Sequence, residues 1–302
     1  MAVRHKMTPD DVSKVDPEFT TLYADVTCEG ALIAARSRVA FVGLARDCVQ
    51  ALPANLALLE ETARHFESWS AFVFENDSTD GTRELLEQWA AKNPENVAVQ
   101  CVTNGKPRLG GFEVERVLAM ADYRKRCQDV VRETMPDVDY VIVVDLDAQG
   151  GWSLHGVING IGWHAAQAKL GCLGSVSLCF HPGVMINGKP SWCHYDAWAY
   201  RWIGWQARMG PWFTMWLPPV GAPPIECNSV FGGLAIYKRE AYLQGTYGLD
   251  GDCEHVGLHR TMQSMGWRIA INPSQRTLMD WADAETTDGG RNLDDQYRAV
   301  PD

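Results

Sequence analysis

Short apolar runs, each followed by an amphipathic stretch long enough for a helix, recur through the first half of the chain. The runs cover residues 39–44, 70–74, 97–102 and 140–144. Apolar runs of this length between polar segments are typical of buried strands. Strands that alternate with helices predict a mostly parallel sheet with helices on both of its faces. The chain is therefore expected to have an α/β fold.

Polar residues follow three of these runs at the point where each strand would end. Arg46 follows the first run, Glu75 and Asp77 follow the second, and Asp145 and Asp147 follow the fourth. In open sheets of this kind, ligands bind beyond the carboxyl ends of the strands. We therefore expect these side chains to converge on one binding site.

The D-x-D sequence formed by Asp145 and Asp147 indicates a metal site. A cation such as Mg²⁺ takes one or two protein carboxylates together with substrate phosphates. We predict that these aspartates hold Mn²⁺ or Mg²⁺, one of them reaching a ribose or a metal-bound water; the alternative is a solvated acidic loop. His255 or His259, on a helix predicted over residues 254–265, is a candidate third ligand, and the alternative for each is a structural role.

The sequence E-N-D-S-T-D-G-T at residues 75–82 lies between a predicted strand and a predicted helix. Its Ser, Thr and Asp residues are typical of a turn and a helix N-cap, and that explanation accounts for part of the motif. At the tip of the strand, Glu75 and Asp77 can also accept hydrogen bonds from a nucleobase or a ribose. We favour this second role for those two side chains.

The chain changes character after residue 150. Eight of its twelve tryptophans lie between Trp152 and Trp216, among frequent prolines and glycines. We predict that residues 151–230 form an irregular segment that builds an acceptor pocket on the same sheet. Aromatic faces there can stack on sugar rings, as we expect for Trp198, and Asp196 can accept hydrogen bonds from sugar hydroxyls; most of the tryptophans must pack in the core.

Charge and composition exclude several other classes of protein. The net charge of −11 disfavours non-specific binding of nucleic acid or of an anionic membrane. No apolar run is long enough to span a membrane, and the polar N-terminal stretch lacks the apolar core of a secretory signal. The nine scattered cysteines without a C-x-x-C pair predict reduced thiols and a cytoplasmic protein. Neither G-x-G-x-x-G nor G-K-S/T is present, which argues against dehydrogenases and kinases.

Taken in order, these motifs resemble the GT-A glycosyltransferases, and most closely the fungal capsule mannosyltransferase-like group and its bacterial relatives. The resemblance covers roughly residues 38–275 and includes Y-R-K-R-C before the D-x-D, Y-D-A-W-A-Y-R, F-G-G-L-A-I-Y and C-E-H-V, at residues 123–127, 195–201, 231–237 and 253–256. It implies a Rossmann-like GT-A domain and metal-dependent transfer of a sugar from a UDP- or GDP-linked donor to an acceptor hydroxyl. From the residues themselves we predict an N-terminal arm (1–37), polar and at best partly ordered over residues 1–30, a nucleotide-sugar-binding half (38–150) and an acceptor-binding and catalytic half of the same domain (151–302).

The resemblance also implies roles for residues of the donor site. Arg46 and Glu75 would line the nucleotide site, with Asp77 on the base or ribose and Asp145 beside the donor. Arg124 would approach the diphosphate or the base; the alternative is a solvated helix face. Gly232 and Gly233 would form a wall of the donor-sugar and acceptor site, and a bulge or tight packing explains these glycines equally well.

Glu254 occupies the position where the family places an acidic residue that faces the acceptor. In an inverting enzyme it would deprotonate the acceptor hydroxyl, whereas in a retaining enzyme it would bind the acceptor or stabilise charge. The alternative is an acid that complements the dipole of a first helical turn.

Two other functions remain for the protein as a whole. The first is a nucleotidyltransferase, although residues 42–46 lack the glycine-rich phosphate loop expected of one. The second is an inactive relative that binds a carbohydrate or a nucleotide-sugar, and the intact Asp145, Asp147 and Glu254 argue against it.

Overall fold

The computed structural model describes residues 4–105, 114–186, 189–205, 216–248 and 252–279. Within them, nine strands form one sheet. The strands are β1 (Arg38–Ala45), β2 (Ser68–Asn76), β3 (Val97–Val102), β4 (Tyr140–Asp145), β5 (Leu170–Ile186), β6 (Lys189–His194), β7 (Ile225–Cys227), β8 (Leu234–Lys238) and β9 (Arg268–Leu278). The helices are α1 (Pro9–Val12), α2 (Thr20–Ala34), α3 (Leu52–Ala63), α4 (Thr82–Lys92), α5 (Val114–Thr134), α6 (Leu154–Ala166), α7 (Arg239–Gln244) and α8 (Glu254–Ser264), with a 3₁₀ turn over Pro17–Phe19.

The sheet has a parallel core, as the sequence predicts. Its strand order is β3-β2-β1-β4-β8-β5-β9-β7, and β6 pairs with β5. Strands β1 to β4 are mutually parallel, whereas β8 runs antiparallel to both β4 and β5. The reversal at β8 places the loop before that strand beside the carboxyl end of β4: the backbone amide of Asp145 donates to the carbonyl of Gly233 at 2.8 Å.

Alternate residues of β1 face two separate hydrophobic cores. Val39 and Phe41 pack into the core beneath α3, α4 and α6, while Ala40 and Val42 pack into the core beneath α5, α7 and α8. This is the two-residue period of a strand buried on both sides. The second core holds α5 and α8 on the same face of the sheet.

The N-terminal region differs from the prediction of a partly ordered polar arm over residues 1–30. Residues Thr20–Ala34 form α2, which packs against α6. A Cβ atom at Gly30 would lie 2.0 Å from the carbonyl oxygen of Ile158, so the two backbones are in close contact. The prediction is wrong here because this helix is held by close backbone packing rather than by a strong apolar stripe.

The second half is more regular than the sequence indicates. The prediction of an irregular segment over residues 151–230 is wrong for α6, β5, β6 and β7, and holds for the described residues 195–205, which lie outside helices and strands. Glycines lower the helix propensity of α6, yet it begins at an N-cap, where the Ser153 hydroxyl accepts from the Gly156 amide at 3.0 Å. Tertiary packing overrides propensity at such a helix. None of the described helices combines the length and apolar character needed to cross a membrane.

Candidate active site

The loops after β1 and β2 are tied together by the E-N-D-S-T-D-G-T motif. Its Ser78 hydroxyl accepts from the Asp47 amide at 3.0 Å, an Asp80 oxygen accepts from the Val49 amide at 2.9 Å, and the Thr82 hydroxyl accepts from the Cys48 amide at 2.8 Å. The turn role therefore holds for the second half of the motif. The N-cap of α4 is Gly81, which has no side-chain cap.

The Glu75 carboxylate lies at the end of β2 and is fully buried. One oxygen accepts from the Ser78 amide at 2.8 Å, and the other accepts from Nε of Arg83 at 2.9 Å. Arg83, which the sequence analysis did not identify, also donates to the Val102 carbonyl at the end of β3. Glu75 thus organises the strand ends, and its contact with a nucleotide stays a prediction.

Two residues at the strand tips have left-handed backbones. Asp47 has φ of 48° and Asp77 has φ of 54°, a conformation that is uncommon outside glycine and clusters at functional sites. Asp77 accepts from the amides of Asn104 and Gly105 at 2.7 and 2.9 Å. Desolvation acts to raise the pKa of Asp77, but hydrogen bonds and the nearby Arg46 outweigh it and lower that pKa. Asp77 is therefore ionised at neutral pH.

Arg124 is the centre of the site rather than part of a solvated helix face. Its side chain is 2% exposed, and Nη2 donates to Oδ1 of Asp145 at 2.6 Å. Its Nε lies 3.9 Å from Oε1 of Glu254, and its guanidinium carbon lies 5.1 Å from the centre of the Phe231 ring. One buried cation therefore joins the end of β4 to the start of α8.

The charge of Arg124 acts on three carboxylates. Burial raises the pKa of Asp145, Asp196 and Glu254, and the charge of Arg124 acts against that rise in each case. Arg116, on α5 before Arg124, acts in the same direction on Asp145 and Glu254. Its spacing of eight residues from Arg124, close to two helical turns, is the sequence signal that could have identified it. Buried carboxylates with raised pKa beside a cation are typical of functional sites.

Gly232 and Gly233 connect the acidic side chains through backbone contacts. The Gly232 amide donates to Oδ2 of Asp196 at 2.8 Å, and the Gly233 carbonyl accepts from Asp145. Both glycines have positive φ, and a Cβ atom at Gly232 would lie 2.0 Å from the carbonyl oxygen of Ser175. Tight packing thus explains these glycines, and the predicted contact with sugar stays a prediction.

The acceptor-side residues lie in the segment after β6. Oδ1 of Asp196 accepts from the Ala199 amide at 3.2 Å, so both oxygens of this carboxylate help to shape the loop. The half-buried Trp198 ring lies 5.9 Å from the guanidinium carbon of Arg116. The structure thus brings Trp198 next to Arg116 of α5, and the roles of Asp196 and Trp198 in acceptor binding stay predictions.

The two candidate histidines differ in their surroundings. His259 is engaged in the core, with Nδ1 2.8 Å from the Ser229 hydroxyl and Nε2 3.0 Å from the Tyr237 hydroxyl. His255 stacks on Phe231 at 3.8 Å between ring centres, and neither of its ring nitrogens makes a hydrogen bond within the described residues. Burial, with Arg124 beside it, lowers the pKa of His255, so the ring is neutral.

The D-x-D motif begins at Asp145, the last residue of β4. Asp147 is half-buried and lies near Cys48, whose pKa is raised to about 12 by burial and by the charge of Asp147. Among the residues that the structure describes, no three His, Cys, Asp or Glu side chains cluster as a complete metal site. A site of one or two carboxylates completed by substrate phosphates does not require such a cluster.

Solved structures identify the fold. The crystal structure of GalNAc-T7 with UDP, GalNAc and Mn²⁺ matches at a TM-score of 0.53 and 12% identity, over 91% of this chain and 55% of that chain. The chain has a GT-A fold. A Pyrobaculum calidifontis mannosyltransferase in complex with GDP-Man and Mn²⁺ is also similar (TM-score 0.45, 16% identity, 86% of this chain and 66% of that chain). S. aureus TarS 1–349 in complex with UDP-GlcNAc is similar as well (TM-score 0.47, 11% identity, 84% of this chain and 62% of that chain).

These similarities concern the fold alone. The chain spans between about half and two thirds of the length of the three structures. No family model and no curated protein sequence matches the chain. The closer resemblance to the capsule mannosyltransferase-like group therefore stays a prediction.

Proposed function

We propose that this protein is a divalent-metal-dependent glycosyltransferase that moves a sugar from a UDP- or GDP-linked donor to an acceptor hydroxyl. One observation carries the proposal: Arg124 binds Asp145 at the end of β4 and approaches Glu254 at the start of α8. The predicted donor-side and acceptor-side carboxylates thus lie around one buried guanidinium, in a fold that nucleotide-sugar enzymes use.

Asp145 and Asp147 would hold the cation together with phosphates of the donor, and His255 stays a candidate third ligand, because no three such side chains cluster among the described residues. The donor set fits: Asp145 is partly exposed and, within the described residues, bonds to Arg124 through Oδ1, which leaves Oδ2 for a cation. His255 is neutral, as a metal ligand must be, and its Nε2 lies 3.6 Å from Oε1 of Glu254. When bound, a divalent cation supplies positive charge that stabilises the leaving diphosphate.

Arg46 and Asp77 are proposed to contact the nucleotide at the ends of β1 and β2. The ionised Asp77 is suited to accept hydrogen bonds from a ribose or a base. Glu75 stabilises the same loop by accepting a hydrogen bond from the Ser78 amide. The parallel strands β1, β2 and β4 bring their carboxyl ends to one edge, where ligands of α/β sheets bind. Asp196 and Trp198 would face the acceptor.

Glu254 is proposed as the base of an inverting reaction. It would take the proton from the acceptor hydroxyl while that oxygen bonds to the anomeric carbon and the bond from this carbon to the diphosphate oxygen breaks. Burial raises the pKa of Glu254, which brings it closer to the operating pH and makes it a stronger base. In a retaining reaction the same carboxylate would bind the acceptor, and the anomeric configuration of the product separates the two cases.

The compartment and the donor class belong to the same proposal. All nine cysteines are free, which fits a reducing, cytoplasmic environment. The resemblance to the capsule mannosyltransferase-like group favours a hexose as the transferred sugar.

The test is release of nucleoside diphosphate from a panel of UDP- and GDP-linked hexoses with MnCl₂, first with water as the acceptor and then with mono- and oligosaccharides. We expect release from at least one donor, and loss of that release in excess EDTA. Absence of release from every donor, with every acceptor, would contradict the proposed function.

A further inference from the structure

Arg201 is a buried cation whose guanidinium makes four hydrogen bonds. Its side chain is 1% exposed. Nε donates to the Trp205 carbonyl at 3.1 Å, and Nη1 donates to the carbonyls of Tyr200, at 3.1 Å, and Trp198. A buried charge is costly unless it is paired and hydrogen-bonded, and here three backbone carbonyls of the acceptor-side segment share it. The arginine therefore fixes the path of residues 198–205.

The backbone of Arg201 also binds the loop that leads into Phe231 and the two glycines. Its amide donates to the Ser229 carbonyl at 2.9 Å, and its carbonyl accepts from the amides of Asn228 and Ser229 at 2.6 and 3.1 Å. Residue 229 directly precedes the segment that contains Phe231, on which Arg124 and His255 pack. The acceptor-side segment and the glycine-containing loop are thus joined at one residue.

Asp252 completes the connection to Glu254. Nη2 of Arg201 donates to Oδ1 of Asp252 at 2.7 Å, and the same oxygen accepts from the Cys253 amide at 2.7 Å. The Cys253 carbonyl in turn accepts from the amides of Val256 and Gly257, in the first turn of α8. Arg201 is therefore linked to Glu254, the first residue of α8, through the Asp252 carboxylate and the backbone of Cys253.

We propose that Arg201 is a positioning residue, which acts through Asp252 to hold Glu254 in register with the acceptor-side segment of Asp196 and Trp198. The inference rests on the proposed function and goes beyond it, because it assigns a role to a residue that contacts neither the predicted metal ligands nor Glu254 among the described side chains. Only an arginine fits this role. Its planar fork reaches four acceptors at once, whereas the ammonium of a lysine is a point charge with three donors.

The test compares Arg201→Lys and Asp252→Asn with Arg276→Lys. Arg276 is a matched control: it is also buried and also braces backbone carbonyls, those of Pro273 and Pro218, but its third partner is Ser13 in the N-terminal region. All three variants are measured for turnover of a nucleotide-sugar in water, for binding of UDP and GDP with Mn²⁺, and for amide hydrogen exchange.

We expect Arg201→Lys and Asp252→Asn to lower turnover by about tenfold or more, with the donor KM and nucleotide affinity within about twofold of wild type. Exchange at residues 254–257 should accelerate in both variants and not in Arg276→Lys. The double variant should lose no more than about twofold beyond Arg201→Lys alone, because the two residues act as one unit.

Unchanged exchange at the start of α8 in both variants would overturn the proposal, as would a fall in turnover no larger than that of Arg276→Lys. If Arg201→Lys does not fold, Asp252→Asn decides the question, because Asp252 is partly exposed and asparagine removes the negative charge that pairs with Arg201. If the wild type turns over no donor, the proposed function fails, and the exchange measurement alone decides whether Arg201 positions α8.

Discussion

Replacement of Glu254 by glutamine tests the proposed base with little disturbance of the fold. The side chain is 7% exposed, and the amide has nearly the same shape as the carboxylate. Loss of a general base typically costs about 10²- to 10⁴-fold in rate. At about 1.36 kcal/mol for each factor of ten, the barrier should rise by about 2.7 to 5.4 kcal/mol.

Binding of the nucleotide should survive the same substitution. Arg124 keeps its 2.6 Å contact with Asp145, whereas its Nε is 3.9 Å from Glu254. Stability should not fall either. Burial raises the pKa of Glu254, so any stability linked to its protonated form is present at low pH and lost as the pH rises through that raised pKa. At pH 8 the charged form opposes folding, and glutamine removes that cost.

The assay is the initial rate of nucleoside diphosphate release, together with calorimetric titration of the nucleotide and a melting curve. Glu240→Gln is the matched control, because Glu240 also lies in the first turn of a helix, α7, and its carboxylate accepts from Gln244. A loss of less than about fivefold in Glu254→Gln would refute the role of a base and leave a helix-start acid. Loss of nucleotide binding would instead assign Glu254 to the donor or metal site.

Further predictions concern the metal, the pH profile and the strand ends. Asp147→Ala should abolish turnover and leave the circular dichroism spectrum unchanged, because a residue beyond the strand is not core; full activity in this variant, or in wild type with excess EDTA, contradicts metal dependence. A base must be ionised to act, so turnover should decline as the pH falls through the raised pKa of Glu254. This decline should lie above the ordinary glutamate pKa of about 4.3. A decline that begins only below about 4.3 contradicts the assignment of Glu254 as the base. Glu75→Ala should lower the free energy of unfolding in urea by about 1–3 kcal/mol, because the Ser78 amide and Arg83 lose their acceptor; an unchanged midpoint refutes this account of the loop.

The first four strands could be predicted because their signals are local. Each apolar run lies inside β1, β2, β3 or β4, and the polar residues after the runs mark the strand ends. Helix α2 could not be predicted in this way, since its position depends on the contact of Gly30 with Ile158 in another helix. Contacts of that kind leave no periodic pattern in the sequence.

In the candidate site, too, the sequence predicted some features and not others. The residue types in the motifs indicated Asp145, Asp196 and Glu254, and the structure brings all three near Arg124. The hydrogen-bond partners of these groups could not be predicted. The Glu75 carboxylate accepts from Arg83, and Arg201 pairs with Asp252, 51 residues along the chain. A pattern of residue types shows which groups can do chemistry, whereas the choice of partners is made by the tertiary fold.

Calorimetric titration of UDP, GDP, CDP and ADP, each with and without Mn²⁺, tests the central claim most directly. We expect UDP or GDP to bind, the binding to weaken strongly when Mn²⁺ is withheld, and Asp147→Ala to show the weak binding under both conditions. Equal affinity with and without Mn²⁺ in the wild type, or no binding of any nucleoside diphosphate, would contradict a metal-dependent nucleotide-sugar site at the end of β4.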